Sequence, residues 1–233
     1  MKQLFLIFSI LLSLDVSGQR GVIENLQGFD KNKVFHFGFL VGMNYMGAKL
    51  KLNNSLYTND TILGLNIKQT AGFQLAVVTD LHLGRYWDLR VLFPTLSFGQ
   101  RDFEYWLNTD EGPFLKVRQS ESTYLALPIE FKYKSERYGN WRAYLTGGGF
   151  IAYDMVSQKK ARPGLAVVRL DDIDYGYSLG FGVEFFLEYF KFSPHLKWSN
   201  GLNNLLIDDK TPFTSVINKI TARTFSVSLT FEG

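Results

Sequence analysis

Between Tyr175 and Ser199 large apolar side chains occupy every second position. Tyr175, Tyr177, Leu179, Phe181, Val183 and Phe185 alternate with Gly176, Ser178, Gly180, Gly182 and Glu184. After a very short break, Phe190, Phe192, Pro194, Leu196 and Trp198 alternate with Lys191, Ser193, His195 and Lys197. A period of two is the side-chain repeat of a β-strand, so this is a hairpin with one bulky aromatic face and one small or charged face. A soluble barrel of the lipocalin type places apolar residues inside and polar ones outside. Here the thin face is too small and too charged to line an apolar pocket. The pattern suits a barrel whose bulky side chains face lipid.

The same alternation recurs along the chain. It predicts strands over Val34–Leu50, Ile67–Asp80, Tyr86–Tyr105, Val117–Lys134, Asn140–Asp154, Ile173–Glu188, Phe190–Ser199 and Ile220–Glu232. The connections are expected to alternate in length. Those through "KLNNSLYTNDTILGLN", "NTDEGPFLK", "MVSQKKARPGLAVVRLDD" and "NGLNNLLIDDKTPFTSVINK" read as long. Those at "LHLGR", "SERYGN" and Tyr189 read as tight turns. Long–short alternation around an even number of strands is the arrangement of outer-membrane barrels, with tight turns and both termini in the periplasm. The expected fold is all-β, an eight-stranded antiparallel up-and-down transmembrane barrel of the Gram-negative outer membrane.

The N-terminus reads as a targeting segment. Lys2, an apolar run from Leu4 to Leu14 and "DVSGQ" match a signal peptide cleaved after Gly18. The apolar run is too short to cross a bilayer as a helix. The domain reading is therefore a signal peptide over 1–18, a short periplasmic segment over 19–33 and the barrel over 34–233. The absence of cysteine excludes a disulfide framework, a thiolate metal site and a lipoprotein anchor. A net charge of +3, spread over both signs with no basic run, gives no reason to expect nucleic acid.

Strand parity sorts the remaining residues. Aromatic side chains, 16% of the chain, favour the two membrane interfaces. Phe35, Trp87, Tyr133, Trp141, Phe185, Phe190 and Phe231 fall at the terminus end of the outward face, and Tyr45, Tyr175 and Trp198 at the other. Outer-membrane lipid is thus the first expected partner. Asp80, Asp88, Arg90, Glu130, Lys132, Arg142, Glu184, Lys191, His195 and Lys197 point inward, nearly all in the periplasmic half. Eight strands leave room only for side chains, and an isolated buried charge is strongly disfavoured. These groups are expected to form a salt-bridge lattice, with Arg90, Glu130, Arg142 and Glu184 bridging neighbouring strands. The alternative use of the same charges is an ion path. Gly147, Gly148, Gly149, Gly176, Gly180 and Gly182 are expected to relieve crowding in the lumen.

No catalytic set, cofactor or metal site is expected, and no small-molecule substrate is indicated. His36, His82 and His195 all map to the terminus half, so a lipid-modifying triad at the outer rim lacks its base. "GGGF" at Gly147–Phe150 has no Lys–Ser/Thr and lies within a strand. "DDIDYG" lacks the spaced ligands of a calcium loop.

Four stretches carry a family likeness. "FHFGFLVGMN", "YLALPIEFKYKSERYGNWRAYLTGGGF", "FFLEYFKFSPHLKWSNGLNNLL" and the closing "SVSLTFEG" resemble, in matching order, the PorT family of small outer-membrane barrels of Bacteroidota. "EYFKFSPHLKWSNGLNNLL" is the most specific of them. The resemblance implies a non-enzymatic part in type IX secretion, in gliding species also in motility, alongside other envelope proteins of that system. It implies no site residues. A general small barrel, either a solute channel or an envelope-stabilising protein, is the other function class.

Overall fold

The computed structural model describes residues 24–27, 34–53, 62–109, 112–156, 169–207, 214 and 216–233. The predicted signal peptide lies outside them, as do the predicted periplasmic segment apart from 24–27 and the tips of several connections. Eight strands form one closed antiparallel barrel in chain order, β8 returning to β1. They are β1 (Phe35–Leu52), β2 (Ile62–His82), β3 (Trp87–Thr109), β4 (Gly112–Lys134), β5 (Trp141–Asp154), β6 (Ile173–Phe186), β7 (Lys191–Gly201) and β8 (Ile217–Glu232). Closure matters because an open sheet edge cannot stand in hydrocarbon.

The outward face inverts its chemistry along the strands. On β1 the outward residues run Phe35, Phe37, Phe39, Val41, Met43 and Tyr45, then Gly47, Lys49 and Lys51. On the paired strand β8 they run Phe231, Leu229, Val227 and Phe225, then Arg223, Thr221 and Lys219. The inward face changes in the opposite sense at the same height. Ser228, Ser226 and Thr224 give way to the buried Ala222 and Ile220, and Asn44 gives way to Met46. Below the inversion the barrel is apolar outside and mainly polar inside, with one small apolar cluster of Leu40, Ala76, Val78 and Leu92, and above it the order is that of a water-soluble protein. Phe35 to Tyr45 is ten steps of about 3.4 Å, which at a tilt of about 45° spans about 24 Å. That matches the apolar band of an outer-membrane barrel, about 25 Å tall.

Above the inversion the interior is a conventional core. Ile62, Phe103, Tyr105, Ile217 and Ile220 pack there with Leu170, Leu205 and Val216 from the connections. β3 and β4, at 23 residues each, continue far past the band. The connection between them is where expectation and structure part. Instead of a long loop through "NTDEGPFLK", pairing continues to Thr109↔Gly112, and Gly112 takes φ of +112°, open to glycine at no steric cost. β2 likewise begins at Ile62 rather than Ile67. Period-two apolarity marks only the lipid-facing stretch, so strand that runs on into water goes unmarked.

The predicted outward aromatics all lie on the outer face. At the terminus end Trp87 meets Tyr133 at 5.0 Å between centroids, Phe190 meets Phe231 at 6.0 Å and Trp141 meets Tyr138 at 6.2 Å. Phe35 is exposed there, and Phe185 stacks with Phe192. Toward the loop end Trp198 meets Tyr177 at 5.8 Å, with Tyr45 and Tyr175 exposed. Of the glycines expected in the lumen, Gly147 and Gly149 instead lie on the outer face, because their odd parity follows Leu145 and Ile151.

The inversion predicts opposite tolerance on its two sides. Leu179→Arg, in the apolar band, should cost about 2–4 kcal/mol. Lys49→Leu, above it, should change stability by less than about 0.5 kcal/mol. Urea titration of the folded barrel in lipid vesicles measures both. Equal costs would displace the band.

The lumen lattice as candidate functional site

Antiparallel register brings the inward charges together. Asp80 lies directly opposite Arg90, Arg142 opposite Glu184 and Lys191 opposite Glu232. Each of these pairs is bridged. Arg90 donates Nε and Nη2 to the two Asp80 oxygens at 2.7 Å each, in the forked geometry that guanidinium favours. Lys191 reaches Glu232 at 2.5 Å. Arg142 bonds to Glu184.

The other bonds join residues that are not opposite in register, and all but Lys191–Glu184 skip at least one strand. Arg90 also reaches Glu232 at 2.6 Å, Lys191 reaches Glu184 at 3.1 Å and Lys132 reaches Asp80 at 2.9 Å. Lys132 also bonds to Glu184. The result is a closed cycle of alternating sign: Asp80, Arg90, Glu232, Lys191, Glu184, Lys132 and back to Asp80. Side chains in the cycle are at most 1% exposed. The oxygens of Asp80, Glu184 and Glu232 come within 4.8 Å of one another, a spacing that would suit a metal ion. Arg90, Lys132 and Lys191 already supply positive charge to that space.

Two further groups flank the cycle. Toward the terminus end Lys134 donates to Asp88 at 2.6 Å, and His82 Nδ1 lies 2.8 Å from the same oxygen. Toward the loop end Glu130 accepts from Ser178 at 2.8 Å and from Lys197 at 3.3 Å. Tyr144 roofs the cycle, its ring centre 4.7 Å from Lys132 Nζ and 5.6 Å from the Arg90 guanidinium. Gly182 makes the space for it, since a Cβ there would come within 2.3 Å of the tyrosine ring. Below, Phe186 takes the Arg142 and Arg137 guanidinium groups at 5.0 and 3.9 Å from its ring. Arg137 in turn donates to the carbonyl of Asn25, whose side chain donates to the Phe186 carbonyl. Residues 24–27 are thereby fastened across the terminus end.

Two expectations need correction. Glu130 faces Arg90 in register but does not bridge to it. The Arg90 Nε and Nη2 groups turn to Asp80 and Glu232, and Glu130 reaches across the lumen to β6 and β7. His195 enters no ion pair among the described residues. Its ring stacks on Tyr144 at 5.5 Å, with Nε2 3.2 Å from Thr146 Oγ1. The histidines stand apart in different roles, His36 buried on β1, His82 beside Asp88 and His195 against Tyr144. Lys134, Glu232 and Tyr144 were not singled out in the sequence, although Lys134 shares inward parity with Lys132, Tyr144 shares it with Arg142, and Glu232 takes the parity opposite to the outward Phe231.

The chain belongs to the family of the outer membrane protein beta-barrel domain, whose model matches residues 25–206. It is an outer-membrane barrel. A search of curated proteins finds no match. Among solved structures it is similar to OprG from Pseudomonas aeruginosa at 11% identity and TM-score 0.47, over 85% of this chain and 94% of that one. It is similar to AlkL at 11% identity and TM-score 0.43, over 94% and 96%. Ail of Yersinia pestis gives 11% and 0.38, over 86% and 100%. At these values the likeness adds nothing to what the hydrogen-bonded ring already shows.

Glu184 is the most connected acid of the lattice, so its loss strands several cations at once. Glu184→Gln should destabilise the folded barrel by about 3–5 kcal/mol, because breaking a buried pair leaves charge uncompensated. Removing Glu184 and Arg142 together as Gln and Met should recover part of that loss. Urea unfolding and heat-modified gel mobility check this, and a neutral Glu184→Gln would show the lattice to be solvated.

Proposed function

We propose that this barrel is non-enzymatic, closed to solutes and active through its surfaces, as an accessory of type IX protein secretion with both termini in the periplasm. The observation that carries the closed reading is the buried cycle through Asp80, Arg90, Glu232, Lys191, Glu184 and Lys132, which fills the lumen across its width. A narrow eight-stranded lumen filled by side chains leaves no aqueous path. The secretion role rests on the resemblance of Phe35–Asn44, Tyr124–Phe150 and Phe185–Leu206 to PorT-type barrels. Partners are then outer-membrane lipid and other envelope proteins of that system. The orientation rests on the short turns at 83–86 and 187–190 lying at the terminus end, the arrangement general to such barrels.

Each part has its own test. The chain has no cysteine, so single-cysteine variants report sidedness without background. Gln119→Cys should react with an impermeant maleimide on intact cells, and Tyr189→Cys only after lysis. The opposite result would invert the barrel. In planar bilayers the purified protein should show little steady conductance, and reproducible open-channel currents would favour the solute-channel class. Gene deletion should leave type IX cargo unprocessed in the envelope. A variant with His36, His82 and His195 all replaced should restore export. Normal secretion in a clean deletion with no paralogue would overturn the secretion role and leave a general envelope barrel.

A further inference from the structure

Above the ion cycle and level with the chemical inversion lies a cavity of about 80 Å³ inside the barrel. Lys197 lines it but is already held by Glu130. Two other charged groups that line it are not so held. Arg101 on β3 is 1% exposed, and among the described residues no carboxylate lies within ion-pair distance of it. Its partners are neutral: the Gly47 carbonyl at 3.3 Å from Nε, Ser122 at 3.1 Å from Nη1, and the Tyr124 hydroxyl at 3.3 Å from Nη1 and 3.2 Å from Nη2. A guanidinium has five N–H donors, so Nη2 keeps one to spare.

Asp174 on β6 is 2% exposed and also lines the cavity. Its Oδ1 has no hydrogen-bond partner. Gly201 leaves room for the carboxylate, since a Cβ there would come within 2.5 Å of it. Opposite charges buried inside a barrel attract more strongly than in water, and every other barrel-interior acid described above has closed on a base. This acid and this base stand on opposite strands around one space and do not touch.

We propose that the cavity is a binding site for a small zwitterion, a molecule with a carboxylate for Arg101 and an ammonium group for Asp174. A guest with both charges leaves the site neutral, as the lattice beneath it nearly is. The remaining wall mixes hydroxyl groups such as Ser97, Ser199 and Thr224 with an apolar side made by Ala126, Phe150 and Ala152, which accepts a short hydrocarbon portion. The cavity is smaller than the roughly 150 Å³ that takes benzene, so the guest has only a few non-hydrogen atoms. An amino acid of glycine or alanine size is the simplest such molecule. With the ion cycle below it, the site is a pocket with a floor, and its occupancy is independent of the secretion role.

The test is calorimetric titration of the full-length mature barrel in lipid nanodiscs with glycine, and in parallel with acetate and with methylammonium. Glycine should bind saturably at one site, and the two half-molecules about tenfold more weakly or not at all, each having lost one charged hydrogen bond. Arg101→Gln and Asp174→Asn should each weaken glycine binding about tenfold or more. Ala152→Leu, which fills the space without touching either charge, should abolish it, with folding checked by heat-modified gel mobility. This variant decides the matter where either charge variant fails to fold. Absence of saturable glycine binding, acetate binding as tightly as glycine, or unchanged binding in Ala152→Leu would each overturn the proposal, the first leaving only water between Arg101 and Asp174.

Discussion

The barrel depends on a ring of ions that has to be complete. Seven strands supply it or its attached arginine, with Asp80 from β2, Arg90 from β3, Lys132 from β4, Arg142 from β5, Glu184 from β6, Lys191 from β7 and Glu232 from β8. β1 supplies room instead. Gly38 lies against Glu232, and a Cβ there would come within 2.2 Å of the Phe231 carbonyl. A slip of one residue in any pairing would turn that strand's charge into lipid and its aromatic residues into the lumen. The ionic cycle and the lipid face therefore select the same register from opposite sides of the sheet. A buried ion pair is weak evidence for stability in itself, because desolvation offsets much of the attraction. Its value here is specificity: the observed register is the one that closes the cycle from Asp80 through Arg90, Glu232, Lys191, Glu184 and Lys132.

The inversion at Tyr45 and Phe225 explains why one half of the chain is so much taller than the other. Within the band, lipid covers the apolar face and the interior carries the polar groups. Beyond it, water takes the outside, so the interior must supply the apolar contacts, and Phe103, Tyr105 and Ile220 are almost wholly buried there. Strands of 21 to 23 residues in β2, β3 and β4 are long enough to belong to both regimes. β7, at 11 residues, belongs to one, and the connections beside it fold inward to finish the upper core through Leu205 and Leu170.

What the sequence shows plainly and what it hides follow from the same two regimes. Tyr175 to Ser199 is legible because both its strands lie within the band, where alternation is enforced by lipid on one side and crowding on the other. The inward charges of Asp88, Arg90, Lys132 and Glu184 are legible for the same reason. The outer ends of β3 and β4, past Tyr105 and before Val117, are not, because the sequence there centres on "NTDEGP", a cluster of turn-forming residues that resembles loop. Parity gives a residue's face, but only three-dimensional closure gives its partner across the lumen. That is why Glu130 reads as a bridge to a neighbouring strand and is instead held by Lys197, a residue from a strand three positions further round the ring. Gly147 and Gly149 were read as lumen residues because of the run they share with Gly148. Within a strand, such a run must divide between the two faces.

The interior is layered: an ionic floor, a small polar cavity and an apolar roof, with the sign of the problem changing at each level. Opening the floor would mean separating at least two bases from Glu184 or Glu232 in a medium that does not solvate them. The roof is built from connections as well as strands, so it is the layer least bound by the barrel's geometry. Between them Arg101 and Asp174 stand apart, Arg101 among neutral neighbours and Asp174 beside Gly201. A chain selected only to block its lumen would gain by closing that gap, as it has done at every level below. Keeping two opposite charges buried and separated forgoes the attraction that every pair in the floor has taken, and the zwitterion proposed for the middle layer would meet both of them.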